Sequence, residues 1–311
     1  STAVEAAITM ALQYYFNKGE KRTTFIAFED GFHGDTFGAM SVSGLSAYNG
    51  PFEDFLMKIE RIPVPNGKNN QQILNQLEKI VAENDIAGFI YEPLVQGAAG
   101  MKIHEAADLN EILKFCKGNN ILMIADEVMT GFGKTGNHFA SDEVTTKPDI
   151  ICLSKALTAG LVPMAITSCT EEIYSNFLSN DIAKGFFHCH TYSANPIACS
   201  AALASIELLQ TTAIQESIKT IITSHKTFEE RIKKHPKVTT TRCKGVILAI
   251  DLKSNSGRYG TLRDQLLKHF MNDGVFLRPL GNTIYIQPPY VITKEQLQKV
   301  YTTIEKVLDI F

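Results

Sequence analysis

No long apolar run, no basic stripe and no paired-cysteine spacing occurs in this 311-residue chain, and each absence removes a class of function. The longest apolar stretches are of strand length, too short to span a bilayer, and no signal-peptide pattern is visible. A formal net charge of −3, with no run of Lys or Arg, speaks against a nucleic-acid surface. Six cysteines (Cys116, Cys152, Cys169, Cys189, Cys199 and Cys243) lack any C-x-x-C spacing, which fits free thiols in a reducing cytoplasm better than disulfides or a zinc site. The stretch Thr130-Gly131-Phe132-Gly133-Lys134-Thr135-Gly136 is glycine-rich but lacks P-loop spacing, and it does not lead from strand into helix as a dinucleotide fingerprint does. The chain has no initiator methionine and begins abruptly, so upstream sequence is expected to be missing.

What is there describes an ordinary globular protein, with 44% apolar and 20% charged residues. The length predicts two domains, a large one over 1–210 and a smaller one over 211–311. Strand and helix patterns alternate through the first, which predicts an α/β, doubly wound, mainly parallel sheet. Val4, Ile8, Leu12 and Tyr15 recur at helical spacing after Ser1-Thr2, with Glu5 placed to complete a capping box. In the second domain the pattern predicts a long helix from Ile214, strands at 245–252, 275–280 and 283–287, and a last helix capped by Thr293 with Gln296 at its third position. The Gly281-Asn282 pair predicts a hairpin between 275–280 and 283–287.

Three strand-like runs end in charge. Ile86-Ala87-Gly88-Phe89-Ile90-Tyr91 runs into Glu92, Ile121-Leu122-Met123-Ile124-Ala125 into Asp126-Glu127, and Ile150-Ile151-Cys152-Leu153 into Ser154-Lys155. One acid at a strand end is usually a turn residue. An acid, an acid and a lysine at three consecutive ends predict a site, because open α/β sheets bind ligands beyond the carboxyl ends of their strands. The last run reads as a strand buried on both faces, and a lysine delivered by it is expected to lose hydration, which frees its amine to attack a carbonyl carbon. The loop Asp30-Gly31-Phe32-His33-Gly34-Asp35-Thr36 offers an aromatic ring either to a ligand or to the core. His188-Cys189-His190 lacks a second Cys/His pair, so a metal is not expected there. Arg278 reads as an edge charge or as a clamp for a carboxylate.

Three motifs carry a resemblance. Glu92-Pro93-Leu94-Val95-Gln96-Gly97-Ala98-Ala99-Gly100-Met101, Ala125-Asp126-Glu127-Val128-Met129-Thr130-Gly131-Phe132-Gly133-Lys134-Thr135-Gly136 and Ser154-Lys155-Ala156-Leu157-Thr158 resemble the class III aminotransferases, and the likeness runs along the whole chain. It implies the type I fold of pyridoxal-phosphate-dependent transferases, aspartate-aminotransferase-like, with a mainly parallel large domain and a smaller C-terminal α+β domain. His33-Gly34-Asp35-Thr36-Phe37-Gly38-Ala39-Met40-Ser41-Val42 and Arg278-Pro279-Leu280-Gly281-Asn282-Thr283-Ile284-Tyr285 narrow it to members that use S-adenosylmethionine as amino donor in biotin biosynthesis.

The resemblance also implies roles. Lys155 would hold pyridoxal 5′-phosphate covalently and shuttle a proton, and Asp126 would pair with the pyridine nitrogen. Phe32 and Val128 would bracket the ring, with His33, Glu92 and Gln96 nearby, and Ser1 would lie in the phosphate cup at a helix N-terminus. Thr191 would reach the phosphate of a neighbouring copy in a homodimer, with no nucleic acid or membrane partner. Arg278 and Tyr285 would take a substrate carboxylate. Phe32 stands where the family often has tyrosine and Cys189 where it has glycine, so both are expected to shape the substrate pocket. Another ω-amino-acid transaminase, a non-catalytic dimeric member, and a cofactor-free lyase built on Lys155 remain open beside this reading.

Overall fold

The computed structural model describes residues 1–44, 49–254 and 260–310. The chain divides into two compact units, one of 1–132 and 139–207, the other of 133–138 and 208–311.

In the first unit the strands are β1 (Thr24–Phe28), β2 (Ile59–Ile62), β3 (Ile86–Tyr91), β4 (Val95–Gln96), β5 (Lys102–Ile103), β6 (Leu122–Asp126), β7 (Ile150–Leu153) and β8 (Ile166–Cys169). The helices are α1 (Thr2–Asn17), α2 (Phe37–Val42), α3 (Asn70–Glu83), α4 (Ala106–Gly118) and α5 (Glu171–Asn176), with α6 (Pro196–Leu209) leading into the second unit. Six strands form one sheet in the order β2-β1-β3-β6-β7-β8. All are parallel except β8, which runs antiparallel to β7 at the edge. A mainly parallel sheet with helical crossovers is the α/β architecture the sequence predicts. β4 and β5 make a small antiparallel ribbon after Glu92.

The centre of the sheet is buried on both faces because its residues are apolar throughout. Every residue of β1, β3 and β6 is buried. Gly88 permits the close approach of β3 to its neighbours, since a Cβ there would come within 3.2 Å of both the Leu122 carbonyl and the Phe25 ring. α1 lies on one face through Ala3, Val4, Ala7, Ile8 and Ala11, packing in one core with Ile90, Ile124 and Ile150. β7 departs from expectation. Ile150 and Cys152 are buried in the core with α1, but Ile151 and Leu153, which alternate onto the other face of the strand, are only partly so.

The start of α1 also departs. Ser1 is its N-cap without a side-chain cap bond, and Glu5 turns away to accept bonds from Thr36 Oγ1 at 2.6 Å and the Ala39 amide at 3.1 Å. The local capping pattern loses to a tertiary one, in which Glu5 satisfies free donors at the start of α2.

The second unit holds β9 (Val238–Lys244), β10 (Ile247–Leu252) and β11 (Thr283–Ile286), with α7 (Thr212–Ile232), α8 (Thr261–Asn272) and α9 (Lys294–Ile310). Its sheet is antiparallel in the order β11-β10-β9. The predicted strand at 275–280 does not form. Leu280 and Thr283 close a tight Gly281-Asn282 turn through paired backbone bonds, but the β11 edge is taken by β10. The capping box of α9 does form, with the Thr293 amide donating to Gln296 and the Gln296 amide to Thr293 Oγ1. Residues 133–138 belong to this unit although residues of the first flank them. The Val246 amide donates to the Lys134 carbonyl at 3.0 Å. Gly245 lies so close beneath that a Cβ there would come within 2.3 Å of the Lys134 carbonyl oxygen.

Candidate active site

Parallel neighbours β3, β6 and β7 point their carboxyl ends the same way, so Glu92, Asp126 and Lys155 leave one rim of the sheet. Asp126 ends β6 in register with Cys152 of β7, and Lys155 opens a short 3-10 turn, Lys155–Thr158, just beyond. Lys155 has φ +45 and Ala159 φ +51, a left-handed backbone that costs energy for non-glycine residues and gathers at functional sites. The Lys155 side chain is exposed. The dehydration expected from a strand buried on both faces is therefore not supplied by this chain, because the lysine stands past the strand end, next to the sheet edge.

The acids at the end of β6 divide their work. Asp126 is buried; its Oδ1 accepts from the Val128 amide at 3.1 Å and its Oδ2 faces His33 Nδ1 at 2.7 Å. Glu127 points elsewhere, accepting from Thr130 Oγ1 (2.5 Å) and the amides of Ala140 (3.1 Å) and Ser141 (2.7 Å). It thereby ties down the loop after β6, and burial pushes its carboxyl up despite those donors.

His33 is held from behind. Its amide donates to Ser43 Oγ at 2.9 Å, and Arg61 fixes the end of α2 by donating to the Ser41 and Ser43 carbonyls. His33 Nε2 is buried with no partner. Nδ1, the other ring nitrogen, is the one that meets the Asp126 carboxyl group. Asp126 is then a carboxylate oriented by an imidazole.

Glu92 is buried too, and accepts from the Phe32 amide at 3.0 Å and the Gly97 amide at 2.9 Å. Burial pushes its carboxyl up to about 7, Asp126 adds to the rise, and His33 and the two amides oppose it. Phe32 follows with its ring 42% exposed beside this buried cluster. Gln96 has no exposed surface, yet neither Oε1 nor Nε2 has a partner. Ser1, ahead of α1, takes a bond from the Asp35 amide on its Oγ at 2.9 Å. Gly34, with φ +130, is pressed so close to it that a Cβ would fall 2.6 Å from the Ser1 Cα.

The first unit therefore brings Phe32, His33, Glu92, Gln96, Asp126 and Val128 into one linked set with Lys155 on the same rim. Ser1 joins through the Gly34–Asp35 loop. Thr191 and Cys189 lie exposed in the loop before α6 and join none of these bonds. Arg278, exposed, and Tyr285, opposite Ala249 in the β10–β11 ladder, belong to the second unit. Among the described residues no His, Cys, Asp or Glu cluster suits a metal. Ser43 and Arg61 carry no sequence signal for their supporting roles, and His104, whose Nε2 accepts from the Leu94 amide at 3.1 Å, also escapes sequence reasoning.

This set fits a flat, anionic, ring-nitrogen cofactor. Asp126 offers a carboxylate for a protonated ring nitrogen, Phe32 an exposed ring face, Gln96 an unspent amide and α1 an N-terminus for a phosphate. The class-III aminotransferase family model matches residues 1–308. The chain is 42% identical to the adenosylmethionine-8-amino-7-oxononanoate aminotransferase of Synechococcus elongatus, over 99% of this chain and 74% of that one. With the protein of the same name from Geobacter sulfurreducens it shares 36%, over 98% and 72%. Among solved structures, that aminotransferase from Methanocaldococcus jannaschii superposes with a TM-score of 0.90 at 34% identity, over 98% of this chain and 73% of the other. A PLP-bound amine transaminase from an uncultivated Pseudomonas species gives 0.91 at 29%, over 99% and 74%.

Proposed function

We infer the reaction from one premise: the chain belongs to the class-III aminotransferase family. It is an aminotransferase whose cofactor is pyridoxal 5′-phosphate. The reaction is conversion of 8-amino-7-oxononanoate to 7,8-diaminononanoate with S-adenosylmethionine as amino donor, a step of biotin biosynthesis. One observation carries the chemistry: adjacent parallel strands put Lys155 on the rim where Asp126 is buried against His33. The names of the relatives at 42% and 36% identity support the choice of substrates.

When bound, pyridoxal phosphate supplies the electron sink for the carbanion at the substrate's Cα. Asp126, oriented by His33 Nδ1, would pair with the ring nitrogen. Lys155 Nζ would anchor the cofactor and would serve as the base for the Cα proton. Phe32 and Val128 would bracket the ring, Glu92 and Gln96 would line the rim, and the α1 N-terminus with Ser1 would take the phosphate. On the resemblance alone, Arg278 and Tyr285 bind the substrate carboxylate and Cys189 lines its entrance.

A homodimer completes the reading. Leu161, Ile182, Phe187, Tyr192 and Ile197 are exposed large apolar side chains in one stretch of sequence around Thr191, the composition of a surface that meets another chain. That exposure supports Thr191 reaching the phosphate of a second copy. Six free thiols support a cytoplasmic setting; among the described residues no single helix is long and apolar enough to cross a membrane.

The test is an absorption spectrum with added pyridoxal phosphate, before and after S-adenosylmethionine. A visible band that is absent in Lys155→Ala and bleached by S-adenosylmethionine supports the assignment. A band that answers only other amines keeps the chemistry and discards the donor. No band at all sinks the reading.

A further inference from the structure

Glu92 is a buried carboxylate of the rim whose two oxygens each take a backbone amide, from two different loops. Oε1 takes the Phe32 amide and Oε2 the Gly97 amide. The first loop carries the exposed Phe32 ring and, one residue on, the buried imidazole that orients Asp126. The second carries Gln96 and Gly97, where a Cβ would fall 2.3 Å from Met129 Sδ, so the backbone there lies tight against the loop after β6. The stem of Glu92 leaves β3, whose six residues are all buried, so the carboxyl group is presented from the packed centre of the sheet.

We propose that Glu92 is a positioning residue, a two-pronged backbone clamp that holds the Phe32 loop against the Gln96 loop and so fixes where the Phe32 ring meets the cofactor. The proposal rests on the pyridoxal-phosphate reading for its purpose but not for its geometry. Chemistry explains why the position demands an acid. A carboxyl group presents an acceptor oxygen to each amide, whereas a glutamine of the same shape must turn its own NH2 toward one of them. An aspartate keeps both oxygens but is one methylene too short to reach both loops.

Two arms test this with the whole chain. In cofactor-free protein, hydrogen exchange of the peptides containing Phe32 and Gly97 is compared between wild type and Glu92→Gln. The clamp requires at least about tenfold faster exchange in one of them, with peptides of β1 and β6 unchanged. Unchanged exchange in both overturns it, whether or not the cofactor binds. The second arm measures the dissociation constant of pyridoxal phosphate in wild type, Glu92→Gln, Phe32→Leu and the double variant. Glu92→Gln is expected to weaken binding about tenfold in the Phe32 background and less than about twofold in the Leu background. Equal losses in both backgrounds overturn the route through Phe32. If Glu92→Gln does not fold, Glu92→Asp takes its place with the same outcomes. A wild type that fails to bind pyridoxal phosphate defeats the functional reading, and the exchange arm still judges the clamp.

Discussion

Two buried histidines, His33 in the first unit and His225 in the second, are treated oppositely. In the second unit His225 gives Nε2–H to the Val246 carbonyl at 3.1 Å and accepts the Tyr301 hydroxyl on Nδ1 at 2.6 Å. Nothing is left over, and burial holds the ring neutral, with its pKa lowered to about 4. In the first unit His33 spends one nitrogen on Asp126 and leaves the other bare, and near it Gln96 spends neither amide atom. Both regions are equally dry. Burial alone therefore does not separate the two histidines; the unspent hydrogen-bonding capacity at His33 and Gln96 does, and it leaves buried polar atoms there for a ligand to meet.

The sharpest break in that comparison is chemical. Lys155→Ala is expected to lower the transamination rate by about 10⁴-fold, the upper end of what a positioned proton-transfer group supplies, with thermal melting unchanged because the side chain is exposed. Asp126→Asn keeps the shape and loses the charge, and is expected to cost about 10²-fold in rate in the same assay. In the second unit His225→Leu strands both the Tyr301 hydroxyl and the Val246 carbonyl, and denaturant titration is expected to show a loss of about 3 kcal/mol. Gln96→Met should do the reverse. It removes two unpaired atoms at nearly constant volume, so cofactor-free stability stays within about 1 kcal/mol of wild type or rises, while affinity for pyridoxal phosphate falls. A destabilisation matching that of His225→Leu would erase the distinction drawn above.

The smallest effect is on pH dependence, and its sign differs between the units. The folded pKa of His225 lies below its unfolded value near 6.5, so its contribution is full above 6.5 and lost as pH falls toward about 4. Glu92, faced by His33 and Asp126, has a folded pKa near 7, above its unfolded value near 4.5. Its contribution is full below 4.5 and lost as pH rises through 7. Melting temperatures of cofactor-free protein across pH 4 to 8 should show the alkaline loss flattened in Glu92→Gln and the acid loss flattened in His225→Leu.

What was legible in the sequence follows from how local each signal is. β3, β6 and β7 are apolar runs that stop at a charge, and the parallel order follows from helices set between them. The α9 capping box is correct because nothing else competes for Thr293 and Gln296. The same pattern at Ser1 and Glu5 misleads, since Thr36 and the Ala39 amide outbid it from more than thirty residues away. The Gly281-Asn282 turn is real, yet its strand belongs to β10, a pairing that no local pattern fixes. β9 went unread because Thr239, Thr240 and Thr241 show no apolar alternation. At the site, residue types at strand ends were readable, whereas the His33–Asp126 bond, 93 residues apart, and the exposure of Lys155 depend on tertiary placement.

The six residues 133–138 carry a consequence for heredity. Their partners, Val246 and Gly245, lie more than a hundred codons on. A single crossover after residue 207 leaves the Lys134 carbonyl behind, and one before residue 133 carries 139–207 of the first unit along with the second. Exchange of the second unit alone therefore needs more than one crossover, so its variation is expected to travel with 139–207 of the first.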